Sequence, residues 1–275
     1  MGSAHRTTSL PSPVTRMRRL LALMASDRSE PGIDVRPAAN QIEAQAVERL
    51  LTEQVTHRTD RPFPDGVRQD NGTLRPTLIG AWTQDDLVAG AFIGPHEIAA
   101  QDFARFEGND AAQMIRRHVA LIEGIAVSPE HRREGIGLKL KMFCDRWAAD
   151  HQAALVCSIP TNQAAARLNK KAGHTVLERD VMMVMQITDD HDTPLTRAIA
   201  MGRTPDVFAL WAFRVVTKTT GCAIRIGEHR PIAGEYGTEH DLGGVRWLDT
   251  TATPRPPKDN LRDHVLRTTR HDGQR

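Results

Sequence analysis

Residues 119–140, VALIEGIAVSPEHRREGIGLKL, constrain the fold more than any other stretch of this chain. Val119 to Val127 form an apolar run that stops at SPEHRR, the pattern of a buried strand ending in a turn. From Ile136 to about His151, Leu140, Phe143, Cys144 and Trp147 fall on one helical face. AALVCSIP then reads as a second strand, NQAAARLNKKAG as a helix closed by Gly173, and TVLERDVMMVMQIT as one or two closing strands. Strands alternating with helices predict an α/β fold, its sheet mixed and partly parallel. The corner between the first strand and its helix is chemically distinctive. Arg132 and Arg133 lead into Gly135 and Gly137, which lack Cβ atoms and let main-chain N–H groups approach a ligand closely. A helix start leaves N–H groups without internal acceptors and carries partial positive charge, so a phosphate or pyrophosphate suits it. It is neither G-x-x-x-x-G-K-[ST] nor G-x-G-x-x-G, because Leu140 stands where the third glycine belongs.

Upstream, IDVRPA reads as a short strand and NQIEAQAVERLLTEQV as a helix with Asn40 as its cap. TLIGAWT and LVAGAFIG form a hairpin, and residues 95–118 turn helical. Residues 1–31 contain RMRRLLALMAS and read as a loose basic leader, the α/β segment runs over 32–187, and 188–275 form an extension. FALWAFRVV, CAIRIG and GGVRWLD are candidate strands within that extension, either an accessory subdomain or a flank packed on the core. TATPRPPKDN reads as a linker before a basic tail.

A formal charge of only +2 and an aromatic content of 4% argue against a chain-wide nucleic-acid surface. Cys144, Cys157 and Cys222 lack the spacing of a zinc site or a disulfide framework, and they read as small buried hydrophobes in a reducing compartment. No metal is expected. No apolar stretch approaches the ~18 residues of a membrane span, so a cytoplasmic protein is expected.

GIAVSPEHRREGIGLKL, read as strand, loop, R-x-x-G-x-G and helix, resembles the acyl-CoA-binding motif of the GNAT (Gcn5-related N-acetyltransferase) superfamily. TNQAAARLNKKAGHTVL downstream resembles the second motif of that family. The resemblance implies a GNAT-like fold and an N-acetyltransferase that uses acetyl-CoA, with the amine of a small molecule, peptide or protein attacking the thioester directly. It further implies that Ile125, Ala126 and Val127 line a slot for pantetheine, with the Val127 N–H polarising the thioester carbonyl. Arg132, Arg133, Glu134, Gly135, Ile136, Gly137 and Leu138 would cradle the pyrophosphate, and Asn162 would reach the pantetheine arm. Glu123 alternates with Leu121, Ile125 and Val127, which places it on their face of a regular strand and makes it the candidate proton acceptor for the attacking amine.

Two positions depart from the family pattern. Asn169 stands where the family often has a tyrosine that protonates the departing thiolate, and His174 replaces an aromatic. Asn169 has no proton to give in that role. This leaves open a module that binds CoA without turnover, and the basic termini leave open transfer involving an aminoacyl-tRNA. His174 reads as a residue packed beside a helix end, His118 and His131 as surface or turn residues, and Met182, Met183 and Met185 as core. Phe103 and Phe106 fit either an acceptor pocket or simple packing. The oligomeric state is not set by the sequence, and a homodimer is compatible with it.

Overall fold

A computed structural model describes residues 32–55, 72–84, 86–179, 181–188, 194–199, 210–217, 223–230 and 244–248. The leader, most of the loop expected over 57–76, Cys222, the linker and the basic tail lie outside the described residues. The first sheet begins with β1 (Ile33–Pro37), followed by helix α1 (Gln41–Gln54) and the hairpin β2 (Thr77–Thr83) and β3 (Asp86–Pro95). The α1 start is fixed as expected: Asn40 Oδ1 accepts from the Glu43 amide at 3.0 Å, while the Glu43 carboxylate accepts from Ala39 N at 2.8 Å. Helices α2 (Glu97–Glu107) and α3 (Asn109–His118) separate β3 from β4 (Val119–Val127). Helix α4 (Ile136–Asp150), β5 (Leu155–Ser158), helix α5 (Gln163–Lys171) and β6 (Thr175–Val176) complete the expected alternation.

Strand β7 (Met182–Thr188) closes that segment, and the extension then adds β8 (Pro194–Ile199), β9 (Ala212–Val215), β10 (Ala223–His229) and β11 (Arg246–Trp247). The strands form a seven-stranded sheet of order β1-β2-β3-β4-β5-β9-β6 and a four-stranded sheet of order β11-β10-β7-β8. Among the described residues, only β4 and β5 pair in parallel. The extension therefore contributes a strand to the large sheet, since β9 is inserted between β5 and β6.

Apolar side chains fill both faces of the large sheet. On one face Phe103, Ala112 and Ile115 of α2 and α3 pack with Val119, Leu121, Leu155 and the strand residues Met183 and Met185. On the other, Ile136, Leu140, Cys144 and Trp147 of α4 pack with Ala120, Ile122 and Val156. The methionine cluster and the buried Cys144 and Cys157 are thus core residues. So is Phe103, whereas Phe106 is largely exposed beneath the Arg105 guanidinium.

Candidate active site

The site is built by an irregularity in β4. Val119 and Leu121 face α2 and α3, and Ala120 and Ile122 face α4, as strict alternation requires. Ile125 and Val127 nevertheless pack on the α4 side, while Ala126 meets Val47 and Leu51 of α1. The register explains the switch: Ile93 opposes Ile122 and Phe92 opposes Gly124, so Glu123 is the extra residue of a β-bulge. The expectation that Glu123 shares one face with Leu121, Ile125 and Val127 is therefore corrected. Leu121 and Ile125 point to opposite faces, because a bulge shifts the parity of every residue beyond it.

The bulge also bends the strand, and its position matters. The parallel ladder between β4 and β5 runs only from Val119/Leu155 to Ile122/Ser158, so it ends at the residue before the bulge. Beyond that vertex β4 remains paired to β3 as far as Val127 opposite Ala89, but among the described residues no strand is paired along its β5 side. The unpaired edge of residues 123–127 and the chain leading from Ser158 to α5 define a candidate slot between them.

At the mouth of the slot, Ser128 ends β4 by donating from both its amide (2.9 Å) and its hydroxyl (2.8 Å) to the Val88 carbonyl. Pro129–His131 form a 3-10 turn. Arg133 and Gly135 then adopt φ values of 72° and 82°. Only glycine takes that left-handed conformation without cost, so the Arg133 backbone is locally strained. Helix α4 starts at Ile136, with Leu138 N and Lys139 N both bonded to the Gly135 carbonyl at 3.0 and 3.1 Å. Among the described residues, the amides of Arg133, Glu134, Gly135, Ile136 and Gly137 have no main-chain acceptor. Five consecutive N–H groups at a helix start make a concave donor surface for an anion. A Cβ on Gly137 would stand 3.4 Å from Val127 Cγ2 and 3.8 Å from Leu168 Cδ2, at ordinary contact distance, so packing alone does not demand glycine there.

The flanking side chains divide into several kinds. Arg132 donates to Gln54 Oε1 at 2.7 Å and to the Val127 carbonyl at 3.3 Å, tying the end of α1 to the end of β4. His131 lies 3.3 Å from Glu134 across the turn. Asn162 is the N-cap of α5, its Oδ1 accepting from Ala165 N at 2.8 Å. Glu123 is half-buried.

Behind the vertex lies a buried polar network that sequence reasoning did not find. Lys141 is fully buried and donates to Ser158 Oγ at 3.1 Å. Ser158 in turn donates to Asn169 Oδ1 at 2.7 Å, and Asn169 Nδ2 donates to the Ala165 carbonyl at 3.0 Å. One helical turn beyond Lys141, Asp145 is held by His174 Nε2 (3.0 and 3.1 Å) and by Arg214 of β9 at 2.9 Å. His174 does pack beside the end of α5, but inside the protein rather than on its surface. Burial holds it well below the usual histidine range, and it is neutral at pH 7 with its proton on Nε2. Burial pushes the Asp145 carboxyl up, but hydrogen bonding and charge from His174, then Lys141 and Arg214, hold it below its usual value. Burial brings the Lys141 ammonium down to about 8, against the opposing pull of Asp145. The Cys144 and Cys157 thiols are raised by burial and stay uncharged. His118 is also lowered by burial. Among the described residues no group of acidic, histidine or cysteine side chains is arranged to hold a metal ion, and no helix is long and apolar enough to cross a membrane.

The model of the acetyltransferase (GNAT) family matches residues 44–174. No curated protein matches the chain. Among solved structures it is similar to the ribosomal-protein-S18-alanine N-acetyltransferase of Escherichia coli, at 13% identity over 69% of this chain and 97% of that one, with a TM-score of 0.41. A Bacillus subtilis acetyltransferase in complex with CoA matches at 13% identity over 68% and 100%, TM-score 0.41. The putative acetyltransferase yncA of Salmonella typhimurium with acetyl-CoA matches at 16% identity over 69% and 97%, TM-score 0.42.

Proposed function

We propose that this protein, whose residues 44–174 match the model of the acetyltransferase (GNAT) family, transfers an acetyl group from acetyl-CoA to a primary amine. The observation that carries the reading is the run of five amides from Arg133 to Gly137 without main-chain acceptors, at the mouth of a slot opened by the β4 bulge. The pyrophosphate lies against those amides, with Arg132, Arg133 and Leu138 around it. The pantetheine arm follows the unpaired edge of β4 past Val127, Ala126 and Ile125, bonding to their main chain as an added strand would. The Asn162 amide reaches the arm from the opposite wall. The Val127 N–H polarises the thioester carbonyl as charge develops on its oxygen. Glu123, in the bulge between the slot and the vertex, accepts the proton that the ammonium form of the acceptor must lose before attack, directly or through a water.

The acceptor is an amine of a small molecule or a peptide, and its pocket is drawn from the segments that flank the slot. The test is release of CoA thiol from acetyl-CoA across a mixed panel of primary amines, paired with calorimetry of CoA binding. Glu123→Gln is expected to leave CoA affinity unchanged and to slow turnover by ~10²-fold or more. Full activity of that variant removes Glu123 from the role. Asn169, engaged by Ser158 and Ala165, has no ionisable proton, which favours a second reading in which CoA binds without turnover. CoA binding with no thiol release from any amine would establish that reading, and release with a single amine would discard it.

A further inference from the structure

The network behind the vertex holds a cation whose placement packing does not explain. Lys141 is fully buried, yet among the described residues its hydrogen bond is to one neutral hydroxyl, that of Ser158. An ammonium has three N–H donors, and burying it with a single neutral partner is costly. The charged and titratable groups around it do not repay that cost. Asp145 on the same helix is shared between His174 and Arg214, Arg214 on β9 repels the ammonium, and the Cys144 and Cys157 thiols are uncharged.

What the arrangement does is aim a proton at the slot. Ser158 is the last residue of β5 paired to β4, opposite Ile122, so its hydroxyl stands at the vertex where the two strands part. An arm running back from the amides of 133–137 along the unpaired edge of β4 arrives there with its sulfur end. Asn169, bonded to the same hydroxyl, has no proton to give.

We propose that Ser158, supplied by Lys141, protonates the CoA thiolate as it leaves; the inference rests on the acetyl-CoA reading above. In the step, the amine nitrogen forms its bond to the carbonyl carbon and gives its remaining surplus proton to solvent water, the carbon–sulfur bond breaks, and sulfur keeps the electron pair. The Ser158 O–H turns from Asn169 Oδ1 to the sulfur and gives up its proton, while an Nζ–H of Lys141 moves to the serine oxygen. The products are the amide and the CoA thiol. Lys141, left neutral, regains its proton from water when the coenzyme exchanges. Lys141 acts only through Ser158 and is a positioning and supplying residue, whereas Ser158 touches the reacting atom.

The same contact stabilises a resting thiolate, which gives a test independent of the acceptor. Free CoA is bound to the full-length protein, and the ultraviolet absorbance of its thiolate is followed against pH. The bound thiol is expected to titrate below the free thiol. Ser158→Ala should raise its midpoint by about one pH unit, the size of one hydrogen bond to an anion. Ser158→Thr, which keeps the hydroxyl, should behave as the native protein. Lys141→Met should raise the midpoint at least as far, while calorimetric CoA affinity at neutral pH, where the thiol is protonated, stays within about threefold for all variants. Should Ser158→Ala fail to fold, Lys141→Met carries the comparison alone. Identical midpoints in native and variant complexes would overturn the proposal while leaving the CoA site intact. Absence of any binding heat for CoA to the native protein would overturn the reading beneath it as well.

Discussion

Replacing Lys141 by methionine separates what this residue costs the fold from what it does. In the native state burial lowers its pKa from 10.5 to about 8. A base with a folded-state pKa below its unfolded value is held by the unfolded chain in its charged form while the native state resists charging. The penalty is complete below the folded pKa and is relieved as pH rises from there to the unfolded value. A 2.5-unit depression corresponds to about 3 kcal/mol of lost stability at pH 7. At about pH 9.5 roughly 1 kcal/mol of that loss remains, so native stability should gain about 2 kcal/mol between the two pH values from this one group. Methionine has no such dependence and fills nearly the same volume, with its thioether among Cys144, Cys157 and Ser158. Urea unfolding of both proteins at pH 7 and about pH 9.5 measures the difference. Lys141→Met is expected to be the more stable protein at pH 7, by a margin that shrinks by about 2 kcal/mol at the higher pH. Parallel stability profiles would show that the ammonium is not depressed by burial. A variant less stable than the native protein at both pH values would show that Lys141 is a structural anchor rather than a cost retained for another reason.

Substitutions at three further positions test other parts of the structure. At Gly135, where φ is 82° and a Cβ would meet nothing within 4 Å, Asn is expected to keep the left-handed turn and most CoA affinity. Asp should abolish binding by setting a carboxylate against the phosphates, so equal calorimetric affinity of the two variants would refute the phosphate placement. Arg214→Met leaves the buried Asp145 with only a neutral histidine and should cost about 3 kcal/mol in urea unfolding. His174 has a folded pKa depressed from 6.5 to about 4, so the unfolded chain protonates first and the fold loses stability as pH falls through this window. His174→Phe should flatten that acid limb, seen as a smaller fall in midpoint temperature between the two pH values.

Why the sequence shows some of this and not the rest is clearest at β4 and α4. The strand, the helix and the glycine corner between them are legible because each is a local pattern: an apolar run, a helical face, and a turn that needs residues without Cβ atoms. The bulge at Glu123 is not local in that sense. VALIEGIAV reads as nine regular residues, and only pairing with Phe92 and Ile93 reveals that one of them is extra. The alternation argument for Glu123 failed there, although the slot it was meant to line exists because of that same residue. Lys141 and Asp145 were hidden for a related reason. Four residues apart on α4, they carry no local mark of burial, and part of what surrounds them arrives only when the chain returns more than sixty residues later and places Arg214 of β9 on Asp145. A signal was nevertheless present in Asn169 and His174, polar residues at two positions where the resembled family favours aromatics. Polar groups that enter a core must find polar partners, and here the partners are Ser158 and Asp145. The two departures, which weaken the case for an ordinary catalytic acid when taken separately, are thus ends of one network: His174 and Arg214 hold Asp145, and Lys141, one turn before it, reaches Ser158 at the vertex of the slot.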